Sequence, residues 1–465
     1  MTLFAGLAVA LLAGCQPMLH TSRSIMDGDG EVHLYVQPFP QEAQRLRFNL
    51  QALAAVKADG SLVPLPLAFS DFKESGIQRQ RLLAVGPLAP GEYQGLSFLV
   101  GNAYRKSEEG EISLAVGHGP YLVEFPFQIS KNKAQLLLLK FNYGRSLNAG
   151  GVVFSPAFSI FLPERLAPKV LGYVANEKSN SITIFDKGHL QVVGVIATGA
   201  GPKDIAVDRV RHRAYVPLSG EDSLALIDVS GQAIIDKARL GISDEPCEST
   251  LSPDGTLLVT SNFGSDTITL TDPASLMERA RITVGDGPCA VLVDQNGRRG
   301  YVLNLWSGTI SVIDLANHLV AATLAVGPEP IAGAFSPSGD RLFIVHSMSP
   351  HLEVIDTRSL AVLERVYVGS GLSDVVMDPR TEMLYFAKKS EGAVEIFDPF
   401  TLFPVDAIRV GEAVGDLAID DEEGNLYLAL PDTGRVAVYD LLSRKRVALI
   451  EVGKGPGAIT LMGGR

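Results

Sequence analysis

Four acidic residues, Asp204, Glu248, Asp374 and Asp416, hold one repeated position of this 465-residue chain, two residues past a turn residue that is usually proline. The same position elsewhere holds Ala290, Ala332 and Ala458. Carboxylates gathered at one end of neighbouring strands suit Ca²⁺ or another hard cation, which takes about six to eight oxygens. They come as two neighbouring pairs, Asp204 with Glu248 and Asp374 with Asp416. The structural alternative is that each accepts hydrogen bonds from strand-end amides or stands solvated in a wet channel.

Softer donors are scattered. The segment His346-Ser347-Met348-Ser349-Pro350-His351 offers two imidazoles and a thioether of the kind copper takes, but a loop without fixed spacing does not gather them, so exposed loop histidines are expected. Cys247 and Cys289 each follow an equivalent proline by one residue. An oxidising compartment permits a bridge between them, yet side chains of like parity on separate strands need not face each other. Neither has a histidine at a repeat position to activate it. Ser-His-Asp orders, phosphate-cradling glycine loops and paired-histidine metal motifs are absent. The single tryptophan, Trp306, falls on a loop beside Asn304. An indole there either anchors a peptide or glycan or packs over the next unit.

What positions these residues is a repeat. Alternating strands such as Ser181-Ile182-Thr183-Ile184-Phe185-Asp186 end in aspartate at Asp186, Asp228, Asp272, Asp314, Asp356, Asp398 and Asp440, spaced by 42 residues with one interval of 44. A second ladder, Gly199, Gly241, Gly285, Gly327, Gly369, Gly411 and Gly453, keeps the same intervals. A period of this length, built from short strands and turn residues, indicates a propeller of four-stranded blades. Each aspartate is expected to accept turn amides, and each glycine to supply positive φ. Unit one lacks an innermost strand, and Gly455 to Leu461 supplies one from the C-terminus, closing the ring.

The units Tyr173-Val174-Ala175-Asn176, Ile310-Ser311-Val312-Ile313-Asp314, Val284-Gly285-Asp286-Gly287-Pro288 and Ser252-Pro253-Asp254-Gly255 resemble the YVTN family of seven-bladed propellers, from Val170 to the C-terminus. The resemblance is weakest in units six and seven, where Leu372 and Val414 replace the proline. It implies a disc whose loops bind on one face. Some relatives of this fold are lactonases or bind redox cofactors. Loop residues expected on that face are Asn176, Asn262, Asn304, Trp306, His346 and Lys388.

The remainder gives an address and a carrier. Phe4 to Ala13 is an apolar run ending in Leu12-Ala13-Gly14-Cys15, too short to span a bilayer, which needs about 20 residues. It resembles a bacterial lipobox with Cys15 as the acylated residue, although Met1-Thr2-Leu3 supplies no cation. Gln16 follows, not the aspartate of inner-membrane retention, which points to an outer-membrane lipoprotein facing the periplasm or exterior. Residues 1–15 read as a lipoprotein signal peptide, 16–30 as a tether, 31–161 as an antiparallel β-sandwich of immunoglobulin or transthyretin type, 162–169 as a linker and 170–465 as the propeller. The segment Leu88-Ala89-Pro90-Gly91-Glu92-Tyr93 carries the sandwich resemblance. With 40 Lys and Arg against 52 Asp and Glu and no basic block, nucleic acid is excluded as a partner.

The expected protein is all-β, a seven-bladed β-propeller behind a β-sandwich, lipid-anchored and monomeric. It displays loops to an envelope protein or glycan. The alternative is a periplasmic hydrolase or lactonase-like enzyme using a Ca²⁺ at the channel mouth.

Overall fold

The computed structural model describes residues 28–73, 78–108 and 110–463. Cys15, the expected signal peptide and most of the expected tether lie outside the described residues.

Residues 30–161 form two sheets around one core. Gly30–Val36 pairs antiparallel with Arg81–Leu88 and parallel with Ala134–Phe141, which also pairs with Phe158–Phe161. The second sheet is built on Leu46–Lys57 and Gly91–Ser107. Val32, Leu34 and Val36 alternate into the core with Leu137, Leu139 and a stack of phenylalanines in which Phe48 and Phe72 lie 4.6 Å apart. Tyr93 closes the corner read from the sequence by donating to the Ala89 carbonyl at 3.0 Å.

Two pairings depart from the expected antiparallel pattern, Gly30–Val36 with Ala134–Phe141 and Val153–Phe154 with Gly110–Val116, both parallel. The first has a physical reason. Parallel strands are stable where both faces are covered, and here the second face, carrying Tyr35, Leu136 and Leu138, is buried against the rest of the protein.

Residues 171–461 form seven four-stranded antiparallel sheets in chain order. The first spans 171–197, and the others follow at 206–239, 246–283, 288–325, 330–367, 372–409 and 417–451. The first sheet takes its inner strand from Pro456–Leu461, which pairs antiparallel with Leu171–Asn176. Each sheet shares a hydrophobic cluster with the next, and the seventh shares one with the first. The last of these seams also takes in Tyr35, Leu136 and Leu138 of the N-terminal unit.

The turns show which repeat residues do what. All seven ladder aspartates accept a backbone N–H two or three residues on, as Asp186 does from Gly188 at 2.9 Å and Asp314 from Ala316 at 3.0 Å. The ladder glycines correct the expectation of positive φ, which holds only at Gly369 and Gly411. In most units the left-handed residue is two further on, at Gly201, Ser243, Gly287, Glu329, Gly371 and Gly455. The ladder glycine is required by contact instead. A Cβ at Gly285 would lie 2.5 Å from Ser307 Oγ and 2.7 Å from Asn304 Nδ2, and one at Gly453 would meet Asn176 Cγ at 2.7 Å.

Gly285→Ala is therefore expected to destabilise by about 1–3 kcal/mol through overpacking. Urea unfolding should show a lower midpoint with an unchanged slope.

Candidate functional site: the inner-strand carboxylates and the loop face

Asp204, Glu248, Asp374 and Asp416 lie where the inner strands of neighbouring sheets meet, each half-buried. Every one of them reaches the inner strand of the following sheet. Asp204 accepts the Ser249 N–H at 3.0 Å and Glu248 the Val291 N–H at 3.4 Å. Asp374 accepts from Leu417 at 2.9 Å and Asp416 from Ile459 at 2.8 Å. These are ties between sheets, made wherever the repeat position is acidic and not where it is Ala290, Ala332 or Ala458.

The expected Ca²⁺ site is corrected by the same geometry. Among the described residues no three His, Cys, Asp or Glu side chains come together in an arrangement that could hold a metal ion. One oxygen of each carboxylate is aimed along the ring at an amide of the next inner strand.

Desolvation still leaves a mark on them. Burial, against the N–H groups of Ser249 and Ile205, pushes the Asp204 carboxyl up to about 6. Asp374 is pushed up to about 6 by burial, opposed by Leu417 and Val375. Glu248 is raised further by burial and then by the charge of Asp204, and Asp416 by burial and then by Asp374. The arrangement can hold protons near neutral pH, with each pair behaving as a coupled unit.

The loop-face residues divide sharply. Asn176, Asn262, Asn304 and His346 are fully buried and Lys388 nearly so, which corrects their expected place on exposed loops. They end the second strands of their sheets and face a partner seven residues on in the third. Asn176 Nδ2 donates to Thr183 at 2.9 Å, Asn262 to Thr269 at 2.8 Å and Asn304 to Ser311 at 3.0 Å. Lys388 pairs with Glu395 at 2.6 Å. His346 stands beside Glu353, both in contact distance of Gly327, and burial pushes its imidazole down to about 4. Leu218 with Ala225 and Leu430 with Ala437 fill the same places with apolar groups. The seven-residue offset between residues of matching polarity was the sequence signal for Thr183, Thr269, Ser311, Glu353 and Glu395, which motif reasoning missed.

Trp306 remains on the surface, 64% exposed. Its ring rests edge-on against Phe263 at 4.6 Å and over Gly287, where a Cβ would approach to 3.0 Å. Ile242 and Met348 are exposed in turns of the preceding and following sheets. Met348 and the buried His346 thus do not converge, and His351 lies against Tyr367 at 5.9 Å, so the copper reading has no donor set. Cys247 and Cys289 are both free thiols, raised by burial, Cys247 to about 12. Cys289 donates to the Pro330 carbonyl at 3.3 Å, making one more tie between adjacent sheets.

A carboxyl whose folded value is raised contributes stability that is present at low pH and lost as pH rises through that value. Glu248→Gln keeps an acceptor for Val291 without the charge. It should raise the melting temperature at pH 8 by about 2–4 °C and leave it unraised at pH 4.5, as followed by circular dichroism.

Comparisons with known proteins point to a β-propeller. Residues 162–378 match the model of a family described as YNCE-like beta-propeller. A structure of a functionally unknown protein from Desulfotomaculum acetoxidans superposes with a TM-score of 0.57 at 15% identity, covering 63% of this chain and 99% of that one. Dihydro-heme d1 dehydrogenase NirN gives 0.51 at 15% identity over 65% of this chain and 77% of that one. Kuenenia stuttgartiensis hydrazine synthase gives 0.49 at 21% identity, covering 55% and 88% respectively. No curated protein sequence matches. At 15% identity the first two structures speak to fold alone, and nothing is drawn from the third. The chain is an all-β protein that carries a β-propeller.

Proposed function

We propose that the chain is a binding protein of the bacterial cell envelope, a seven-bladed propeller of YVTN type carried on a β-sandwich and anchored by lipid at Cys15. The observation that carries the reading is Trp306. An indole that is 64% exposed, yet held by Phe263 and seated on Gly287, offers a large apolar face whose ordering entropy is already lost on folding. Met348 and Ile242 are further exposed apolar side chains in turns of the neighbouring sheets. The partner is an envelope protein or glycan met by this face, and the chain acts as a monomer. A hydrolase or lactonase-like reading has less to stand on, because each inner-strand carboxylate is engaged with a backbone amide.

Trp306→Ala is expected to reduce partner recovery from cross-linked envelopes by about tenfold, the loss of one hot-spot aromatic. Thermal stability should stay unchanged. Equal recovery by the variant would remove the display reading. Lipidation is tested separately: metabolic labelling with an alkyne fatty acid should mark the wild-type chain and not Cys15→Ser.

A further inference from the structure

The chain is acidic, with 52 Asp and Glu against 40 Lys and Arg, so a gathering of cations needs a reason. One occurs where the N-terminal unit meets the first and seventh sheets. A cleft of about 370 Å³ opens there, with Gln78 and Arg79 on one wall and His189, Gln191 and Arg446 on the other. Arg79 and Arg81 share Glu451 at 3.3 and 2.9 Å, and Arg435 stands 3.9 Å from Glu412. Arg446 is exposed and has no ion pair among the described residues. His189 turns Nδ1 to Asp186 at 2.6 Å and leaves most of its ring in solvent.

The electrostatics at this place are unbalanced. Arg79 is held below the ordinary arginine range by burial, which Glu451 opposes, with smaller lowering contributions from the charges of Arg81, Arg435 and Arg446. A second cleft of about 560 Å³ shares Gln78 with the first and is lined, among the described residues, by Arg45, Arg47, Lys73, Lys106 and Glu111. In that second opening Arg47 is paired with Glu111 at 3.4 Å, whereas Arg446 in the first is exposed and without an ion pair among the described residues.

We propose that the first cleft is a binding site for a phosphate-bearing ligand, with the phosphate seated between Arg79 and Arg446. Guanidinium forks match phosphate oxygens in pairs, and the side-chain amides of Gln78 and Gln191 add neutral donors at the same opening. The anion relieves the repulsion among the arginines. Because its walls come from both units, the ligand also clamps the N-terminal unit to the ring. The site is separate from the Trp306 face, so the two proposals stand or fall independently.

The test is calorimetric titration of the full chain in detergent with sn-glycerol 3-phosphate and with inorganic phosphate, at fixed ionic strength, and with acetate alongside. Retention of phosphatidylglycerol over phosphatidylcholine from mixed micelles, measured by lipid mass spectrometry, forms the second arm. Saturable binding in either arm, weakened tenfold or more by Arg446→Ala and unchanged by Arg239→Ala, is the expected result. Heat from the soluble phosphates identifies a free phosphate ester, and lipid retention without it identifies a phospholipid headgroup. No saturable binding in either arm, acetate binding as tightly as phosphate, or full binding by Arg446→Ala would overturn the proposal. Since Arg446 is exposed, its variant is expected to fold even where an Arg79 variant does not.

Discussion

Pairing between Leu171–Asn176 and Pro456–Leu461 is the contact on which the array of sheets depends. It joins the start of the array to its end, so the first sheet is complete only when nearly the whole chain has been laid down. Without it, two sheet edges would stand open, each a template for association with another chain. The polar chemistry gathers at the same seam. Lys187 and Asp420 form an ion pair at 2.8 Å, both almost fully buried, between the first and seventh sheets. Removing one partner of such a pair leaves a buried charge, at a cost of about 3–5 kcal/mol. Asp420 also accepts the amides of Glu422 and Glu423, which fixes its carboxylate for the lysine.

Within each sheet a single internal pair sets the polarity, and the pair varies while the backbone does not. An amide and a hydroxyl fill it in three sheets, a lysine and a glutamate in another, and a leucine with an alanine in two more. The ladder glycine lies against the pair where it is Asn176, Asn304, His346 or Lys388, whereas a Cβ at Gly411, beside the Leu430 sheet, would meet nothing within 4 Å. The variation among Asn176, His346 and Lys388 is variation in how a buried site is satisfied.

That distinction explains how much was legible. The aspartate ladder was readable because an Asx turn needs one residue type at one place, and all seven copies make it. The burial of Asn176, Asn262 and Asn304 was not, because asparagine is common in turns and only its partner seven residues on shows that the strand continues. The four carboxylates were found by position, but whether acids at one strand end face a shared centre or the next strand depends on side-chain direction, which spacing does not carry. Parallel pairing of Gly30–Val36 was hidden because alternation looks the same in either direction. The docking of Tyr35, Leu136 and Leu138 was hidden for a related reason, since an apolar outer face in one strand does not name the surface that covers it.

The N-terminal unit straddles the seam that the last strand closes. Gln80 exchanges two hydrogen bonds with the backbone of Val192 in the first sheet, at 2.7 and 3.1 Å. Its neighbours Arg79, Arg81 and Leu82 hold Glu451 in the seventh, where Tyr35 also donates to the Glu451 carbonyl at 2.9 Å. With Tyr35, Leu136 and Leu138 buried in the same seam, the N-terminal unit fastens both ends of the array from outside, a second bolt across the joint that the last strand makes.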